Sequence, residues 1–266
     1  MYLPLNAQKN NKTMDFPTFR DFVIRFTGQS RMIARKYFRT RLDVLSKEDM
    51  SPVTIADREI EDLFRNEVLR KFPGHGVFGE EFGEIKGSSS YYWVIDPIDG
   101  TKSFIHGVPL FCTLIALMKD DEPVFGAIHN PILDDLVLGD GTSAYHNGTK
   151  ISLRSCDSLS QATLLTTDPL GAEKYREPNG FDNLAKACKL YRTWGDAYGY
   201  YLVATGFADI MIDPKMSKWD IMALIPVIKG AGGTITDYYG EDPVKGDSIV
   251  VSNPSIHKEI INYLKP

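Results

Sequence analysis

Acidic side chains gather in four short stretches: Ser51-Pro-Val-Thr-Ile-Ala-Asp57, Gly79-Glu80-Glu81, Trp93-Val-Ile-Asp96-Pro-Ile-Asp99-Gly-Thr101 and Trp219-Asp220. Singly, each has an ordinary explanation. Asp57 suits a helix cap, Glu80 and Glu81 a solvated loop, and Asp-Pro and Asp-Gly pairs form turns. The third stretch carries more. A strand ending in Val94-Ile95 delivers Asp96 and Asp99 three positions apart, with Pro97 stiffening the chain between them. Two carboxylates held close repel, which raises their pKa or demands a cation. Carboxylate and carbonyl oxygens suit Mg²⁺ or Ca²⁺. Zinc is disfavoured, because His75, His106, His129, His146 and His257 lack paired ligand spacing and Cys112, Cys156 and Cys188 are far apart. Gly100-Thr101-Lys102-Ser103 follows. A helix opening there would aim free N–H groups outward, and Gly100 would let an anion approach without a Cβ in the way. Metal-binding carboxylates beside an anion cradle suggest metal-assisted phosphoryl hydrolysis.

The elements that must position these groups are partly legible. Asp15 and Pro17 start a helix whose Phe19, Phe22, Val23 and Phe26 follow helical spacing. A second helix spans 57–71 and stops at Phe72-Pro73-Gly74. Strands are expected at 91–95, 111–118, 124–129, 136–138 and 144–145. Beyond Ser152 the pattern becomes mixed α/β, with helices near 183–188, 196–205, 219–229 and after Asn253-Pro254, and strands at 209–212, 234–237 and 248–251. The Gly230 to Gly233 run follows a helix and reads as a helix stop. The fold class is thus mixed α+β and α/β. It divides into a disordered leader (1–14), an N-terminal α+β subdomain with the acidic motifs (15–151) and a C-terminal α/β subdomain (152–266).

The 266 residues carry 30 Lys and Arg against 35 Asp and Glu, a formal charge of −5. That balance argues against nucleic acid as the main partner. The longest dense apolar stretch, 108–118, is too short to span a bilayer. Three scattered cysteines and no apolar signal core point to the cytoplasm.

The Asp96-Pro-Ile-Asp99-Gly-Thr101 motif, with Gly79-Glu80-Glu81 before it and Trp219-Asp220 after it, resembles the inositol monophosphatase family of Mg²⁺-dependent, lithium-sensitive phosphomonoesterases. The resemblance implies a layered αβαβα sandwich, a homodimer and two to three Mg²⁺ ions per site. Glu80, Asp96 and the Ile98 carbonyl match ligands of the first ion, and Asp96, Asp99 and Asp220 match ligands of the second. Glu80 also matches the residue serving a weaker third ion. Thr101 and Asp57 match the pair that activates the attacking water, with Asp57 accepting a hydrogen bond from Thr101. The Gly100 and Thr101 N–H groups match the phosphate cradle. Lys47 falls in the family's mobile loop.

Specificity is expected in the second half. Gly195-Asp196-Ala-Tyr198-Gly-Tyr200 and Asp220-Ile-Met-Ala-Leu-Ile-Pro226 before Gly230-Ala-Gly-Gly233 resemble the histidinol-phosphate phosphatase branch. Asp196, acidic where inositol phosphatases have a smaller uncharged residue, would pair with the amino group of histidinol phosphate; its competing reading is a helix cap. Arg192, just before this stretch, joins it as a substrate-binding candidate. Asp213 stands seven residues before Asp220, the family's spacing for a substrate-contacting acid that is often Glu. The expected substrate is therefore L-histidinol phosphate. The alternatives are inositol 1-phosphate, a broad sugar-phosphate range including fructose bisphosphate, and a phosphate-binding interaction protein without activity.

Overall fold

A computed structural model of the chain describes residues 13–40, 45–46 and 52–265. Lys47 and residues 1–12 of the expected leader lie outside them. The first helix, α1 (Phe16–Tyr37), starts where Asp15 Oδ1 accepts the Thr18 N–H at 2.9 Å and Pro17 fits the first turn. Its apolar stripe buries Phe19, Phe22, Val23 and Phe26, and Met14 packs in the same core. The two-residue strands β1 (Leu45–Ser46) and β2 (Pro52–Val53) pair antiparallel ahead of α2 (Ile55–Lys71).

An eight-stranded sheet follows: β3 (Gly76–Gly79), β4 (Gly83–Ile85), β5 (Tyr91–Asp99), β6 (Cys112–Lys119), β7 (Glu122–Asn130), β8 (Asp135–Gly139), β9 (Ala144–His146) and β10 (Thr149–Ile151), with α3 (Thr101–Ile105) between β5 and β6. The spatial order is β10-β9-β8-β7-β6-β5-β3-β4. All neighbours run antiparallel except β3 and β5. The remaining elements are β11 (Thr163–Leu165), α4 (Gly171–Tyr175), α5 (Pro178–Ala187), β12 (Leu190–Arg192), α6 (Asp196–Ala204), β13 (Ile210–Asp213), α7 (Lys218–Ile221), α8 (Leu224–Gly230), β14 (Thr234–Thr236), β15 (Ile249–Ser252) and α9 (Pro254–Leu264). Their five strands form a second sheet in the order β12-β11-β13-β15-β14.

Strand alternation sorts the core into layers. Trp93 and Ile95 of β5, with Ile115 and Leu117 of β6, pack against Phe19, Phe22 and Phe64 of α1 and α2. Val94, Leu114, Ala116 and Met118 face the other way, onto Tyr200 of α6 and Val227 of α8, which also meet Met211 and Val251 of the second sheet. The far face of that sheet carries Ile212 and Val250, covered by Phe181 and Leu184 of α5 and Ile260 of α9. The result is the layered αβαβα sandwich. Among the described residues no helix is long and apolar enough to cross a membrane.

Several boundaries differ from the sequence reading. The expected helix 219–229 is two helices, α7 and α8, because Pro226 has no N–H to bond back toward Met222. The helix expected at 183–188 begins at Pro178, whose fixed φ suits a first turn. β5 runs four residues past Ile95, through the acidic motif, with a register shift between Asp96 and Asp99 against β6.

Candidate active site

The register shift in β5 makes the motif a bulge instead of a free turn. Asp96 Oδ1 accepts the Ile98 N–H at 3.0 Å, and the Thr113 hydroxyl of β6 donates to the Pro97 carbonyl at 2.8 Å. A bulge re-aims side chains that regular pleating would send to opposite faces. Gly100 then takes φ +96°, a left-handed turn that suits glycine, and caps α3. A Cβ there would meet Asp196 Oδ2 and Phe111 Cβ, each at 3.0 Å.

Asp220 arrives as the third residue of α7, closing a capping box in which its Oδ2 accepts the Ser217 N–H at 2.7 Å. Asp96, Asp99 and Asp220 thereby bring one carboxylate oxygen each within 4.8 Å of one another. The second N–H of α6, on Ala197, donates to Asp99 Oδ2 at 2.5 Å. Glu80 lies in the β3–β4 connection. It stands outside the tightest group, yet its charge reaches Asp57, Asp96 and Asp220.

Burial dominates the electrostatics. It pushes the Asp96 and Asp99 carboxyls well above the usual carboxylate range, and the neighbouring acids add to it: Glu80, Asp99 and Asp220 around Asp96, and Asp196, Asp220 and Asp213 around Asp99. Asp220 is raised to about 7 by burial, against the relief of the Ser217 hydrogen bond. Asp57 is raised to about 6 by burial, with Thr54 hydrogen bonds opposing and the Glu80 charge assisting. Asp57 Oδ2 accepts the Thr54 N–H at 2.8 Å and the Thr54 hydroxyl at 2.6 Å, while Oδ1 is buried without a partner. An all-oxygen donor set, several carboxyls resisting joint ionisation and an orphaned carboxylate oxygen together fit a hard divalent cation.

The remaining sequence candidates distribute unevenly. The expected hydrogen bond from Thr101 to Asp57 is not formed: the Thr101 hydroxyl donates to the Ile98 carbonyl at 3.0 Å, closing the turn after the bulge. Asp57 is also not the cap of α2. Thr54 is, and Asp57 completes its capping box. Asp196 is not the cap of α6, which is Gly195; it opens the helix at φ +51°, its N–H donating to Thr167 Oγ1 at 2.8 Å. Its carboxyl, raised to about 6 by burial against the Ser103 hydroxyl and the Lys102 charge, stands beside Gly100. Asp213 is buried, and both its oxygens are engaged, by the Thr167 N–H at 3.0 Å and the Tyr200 hydroxyl at 3.0 Å. Burial raises it to about 7. Arg192 is exposed, donates to its neighbour's carbonyl on Tyr191, and does not line the cleft.

That cleft, about 230 Å³, is walled by Asp99, Asp196, Asp213 and Asp220, by Lys102 from the stretch after the acidic motif, and also by Thr167, Lys174 and Lys215, which the sequence did not single out. Nothing in their local sequence marks them; only the chain path brings them together. A roomier cavity of about 580 Å³ beside α1 and His129 holds none of the clustered acids.

Comparison with known proteins agrees with this geometry. The model of the inositol monophosphatase family matches residues 22–265. The chain is 45% identical over 213 residues to a bifunctional phosphatase, chloroplastic, of Arabidopsis thaliana, covering 79% of this chain but only 61% of the longer relative. It is 40% identical over 228 residues to a histidinol-phosphatase of Chlorobaculum parvum, covering 85% of this chain and 88% of the relative. Among solved structures, an inositol monophosphatase from Zymomonas mobilis superposes with a TM-score of 0.84 at 31% identity, over 94% of this chain and 99% of the other. Enzymes of this family are metal-dependent phosphatases, with which the clustered carboxylates of this chain are consistent. On the family match, the shared architecture and the oxygen-lined acidic centre, the chain belongs to the inositol monophosphatase family.

Proposed function

We propose that the chain is a Mg²⁺-dependent phosphomonoesterase that hydrolyses L-histidinol phosphate to L-histidinol and phosphate. The Asp96, Asp99 and Asp220 carboxylates, with Glu80 and the Ile98 carbonyl, would hold two to three ions. Such ions supply Lewis-acid stabilisation of the phosphoryl and leaving oxygens and a more acidic water. The chain's own groups do the rest. The Gly100 and Thr101 N–H groups face the phosphate at the left-handed turn. Thr101 Oγ1 would receive the proton of the attacking water once its hydroxyl turns from the Ile98 carbonyl toward the unpartnered Oδ1 of Asp57, which then takes the Thr101 proton. Burial of Asp57 and Asp96 keeps bulk water from their carboxyls and strengthens their interactions.

The observation that carries the substrate assignment is the carboxyl of Asp196. It lines the cleft beside Asp99 and Asp220, where a phosphate ester's organic part would lie. An ammonium group there gains a charge-assisted hydrogen bond, whereas a polyol offers only hydroxyls. The histidinol-phosphatase relative supports the same reading. The likeness to an inositol monophosphatase structure favours inositol 1-phosphate as the second reading. Phosphate release from the two esters, measured side by side for the native protein and for Asp196→Ala, tests the choice. The native protein should prefer the amine, and the variant should lose kcat/KM on histidinol phosphate by about 10-fold or more, the worth of a hydrogen bond to a charged group, with a smaller loss on inositol phosphate. Equal losses would remove Asp196 from amine recognition.

A further inference from the structure

Helix α2 carries Asp57, Glu61 and Arg65 at successive intervals of four, a single stripe along one face. Asp57 belongs to the acidic centre. Glu61 is fully buried and Arg65 nearly so, and the site described above uses neither. Arg65 reaches Glu61 Oε1 through Nε at 2.8 Å and Nη2 at 2.6 Å. Glu61 then accepts two backbone N–H groups from the β3–β4 connection: Glu81 on Oε2 at 2.7 Å and Phe82 on Oε1 at 3.1 Å. Arg65 Nη2 also donates to the Gly83 carbonyl, and its guanidinium lies 5.7 Å over the Phe82 ring. β3 and β4 pair Gly79 with Gly83, so the connection is residues 80–82. Any side chain on Gly79 would collide with the Glu61 carboxylate.

We infer that the Glu61–Arg65 pair is a positioning device that fixes the hairpin connection carrying Glu80 and so sets the chain's affinity for divalent cations. A three-residue connection has few conformations, and here its backbone is pinned on both sides of its middle residue. The pair is ionic where neutral groups would satisfy the same N–H donors, and a buried ion pair is a costly way to gain stability alone. Its two-pronged geometry is what an orientation role requires. Partners of this kind around metal sites change affinity by about 10–100-fold when removed. The inference rests on the metal-dependent reading of the site.

The experiment is calorimetric titration of the full, metal-free chain with Mg²⁺ in the absence of substrate, for the native protein, Arg65→Gln and Arg65→Lys, with thermal unfolding in chelator to confirm that each is folded. The two variants separate position from charge. Removing a cation near clustered acids would, through the field alone, tighten Mg²⁺ binding. Loss of positioning weakens it instead, and the dissociation constant for Arg65→Gln should rise about 10-fold. Arg65→Lys keeps the charge but cannot span Glu61 and Gly83 together, so it should bind more weakly than the native chain and more tightly than Arg65→Gln. In phosphate release the loss should appear in the Mg²⁺ concentration at half-activity more than in the maximal rate. A folded Arg65→Gln or Arg65→Lys protein that binds Mg²⁺ as tightly as the native chain overturns the inference. A native chain that binds no Mg²⁺ overturns the metal-dependent reading, and the inference falls with it.

Discussion

Asp96 is the residue on which three opposing demands meet. It is buried, it faces other acids, and one of its oxygens is already bonded to the Ile98 N–H. Asp96→Asn keeps the shape and removes the charge. It should abolish Mg²⁺-dependent phosphate release, and in metal-free buffer it should raise the unfolding midpoint, by about 2–4 °C for each kcal/mol of repulsion relieved. Retained turnover would exclude Asp96 from the metal site. Thr101 offers a second contrast. Its hydroxyl closes the turn onto Ile98, a role worth about 1 kcal/mol of stability. If it also receives the water's proton, Thr101→Ala should lower kcat by about 10²–10⁴. An unchanged kcat with a small loss of thermal stability would leave it only the turn. Asp96 and Asp99 stood out in the sequence because carboxylates flanking Pro97 serve packing poorly, whereas Glu80 and Asp220 were named as ligands only through the family resemblance. The partner of Asp213 was not legible there, since Tyr200 captures one of its oxygens through a contact that only the folded chain creates.

Two of the acids are held by the same device on different elements. Thr54-Ile-Ala-Asp57 opens α2 and Ser217-Lys-Trp-Asp220 opens α7, each a capping box whose third helical residue is a site carboxylate. A hydroxyl residue three positions before an acid is visible in the sequence, and it is the signal that would have placed both side chains on helix N-termini. Ser217→Ala should therefore cost about 1 kcal/mol of stability and also weaken Mg²⁺ activation, read as a rise in the Mg²⁺ concentration at half-maximal phosphate release. Stability loss with unchanged activation would make the box purely structural. Long elements were readable from periodicity: α1, α2, α9 and strands β5 to β7 stand within a few residues of expectation. The strands β3, β4, β10, β11 and β12 were not foreseen, because three or four residues show too little alternation and their pairing is set by distant neighbours.

Across the whole molecule, the acids make stability depend on pH and on cations together. Asp57 and Asp196 are raised to about 6, and Asp213 and Asp220 to about 7. Each is a carboxyl whose folded pKa lies above its unfolded value. Its contribution is full below about 4 and is lost as pH rises through 6 to 7. Burial holds His129 and His257 near 4, which works the other way: their contribution is lost as pH falls from about 6.5 toward 4. The rise in unfolding temperature on adding Mg²⁺ isolates the acids, because the histidines contribute equally with and without the ion. That rise should be small at about pH 5 and grow by about pH 8, as protons no longer compete for the carboxylates. A pH-independent rise would mean that Mg²⁺ binds elsewhere. The most direct measurement is phosphate release from L-histidinol phosphate by the chelator-stripped protein, before and after Mg²⁺ is restored. Silence in chelator and full recovery with Mg²⁺ is the expected result; turnover that persists in excess chelator would contradict metal-assisted hydrolysis at this centre.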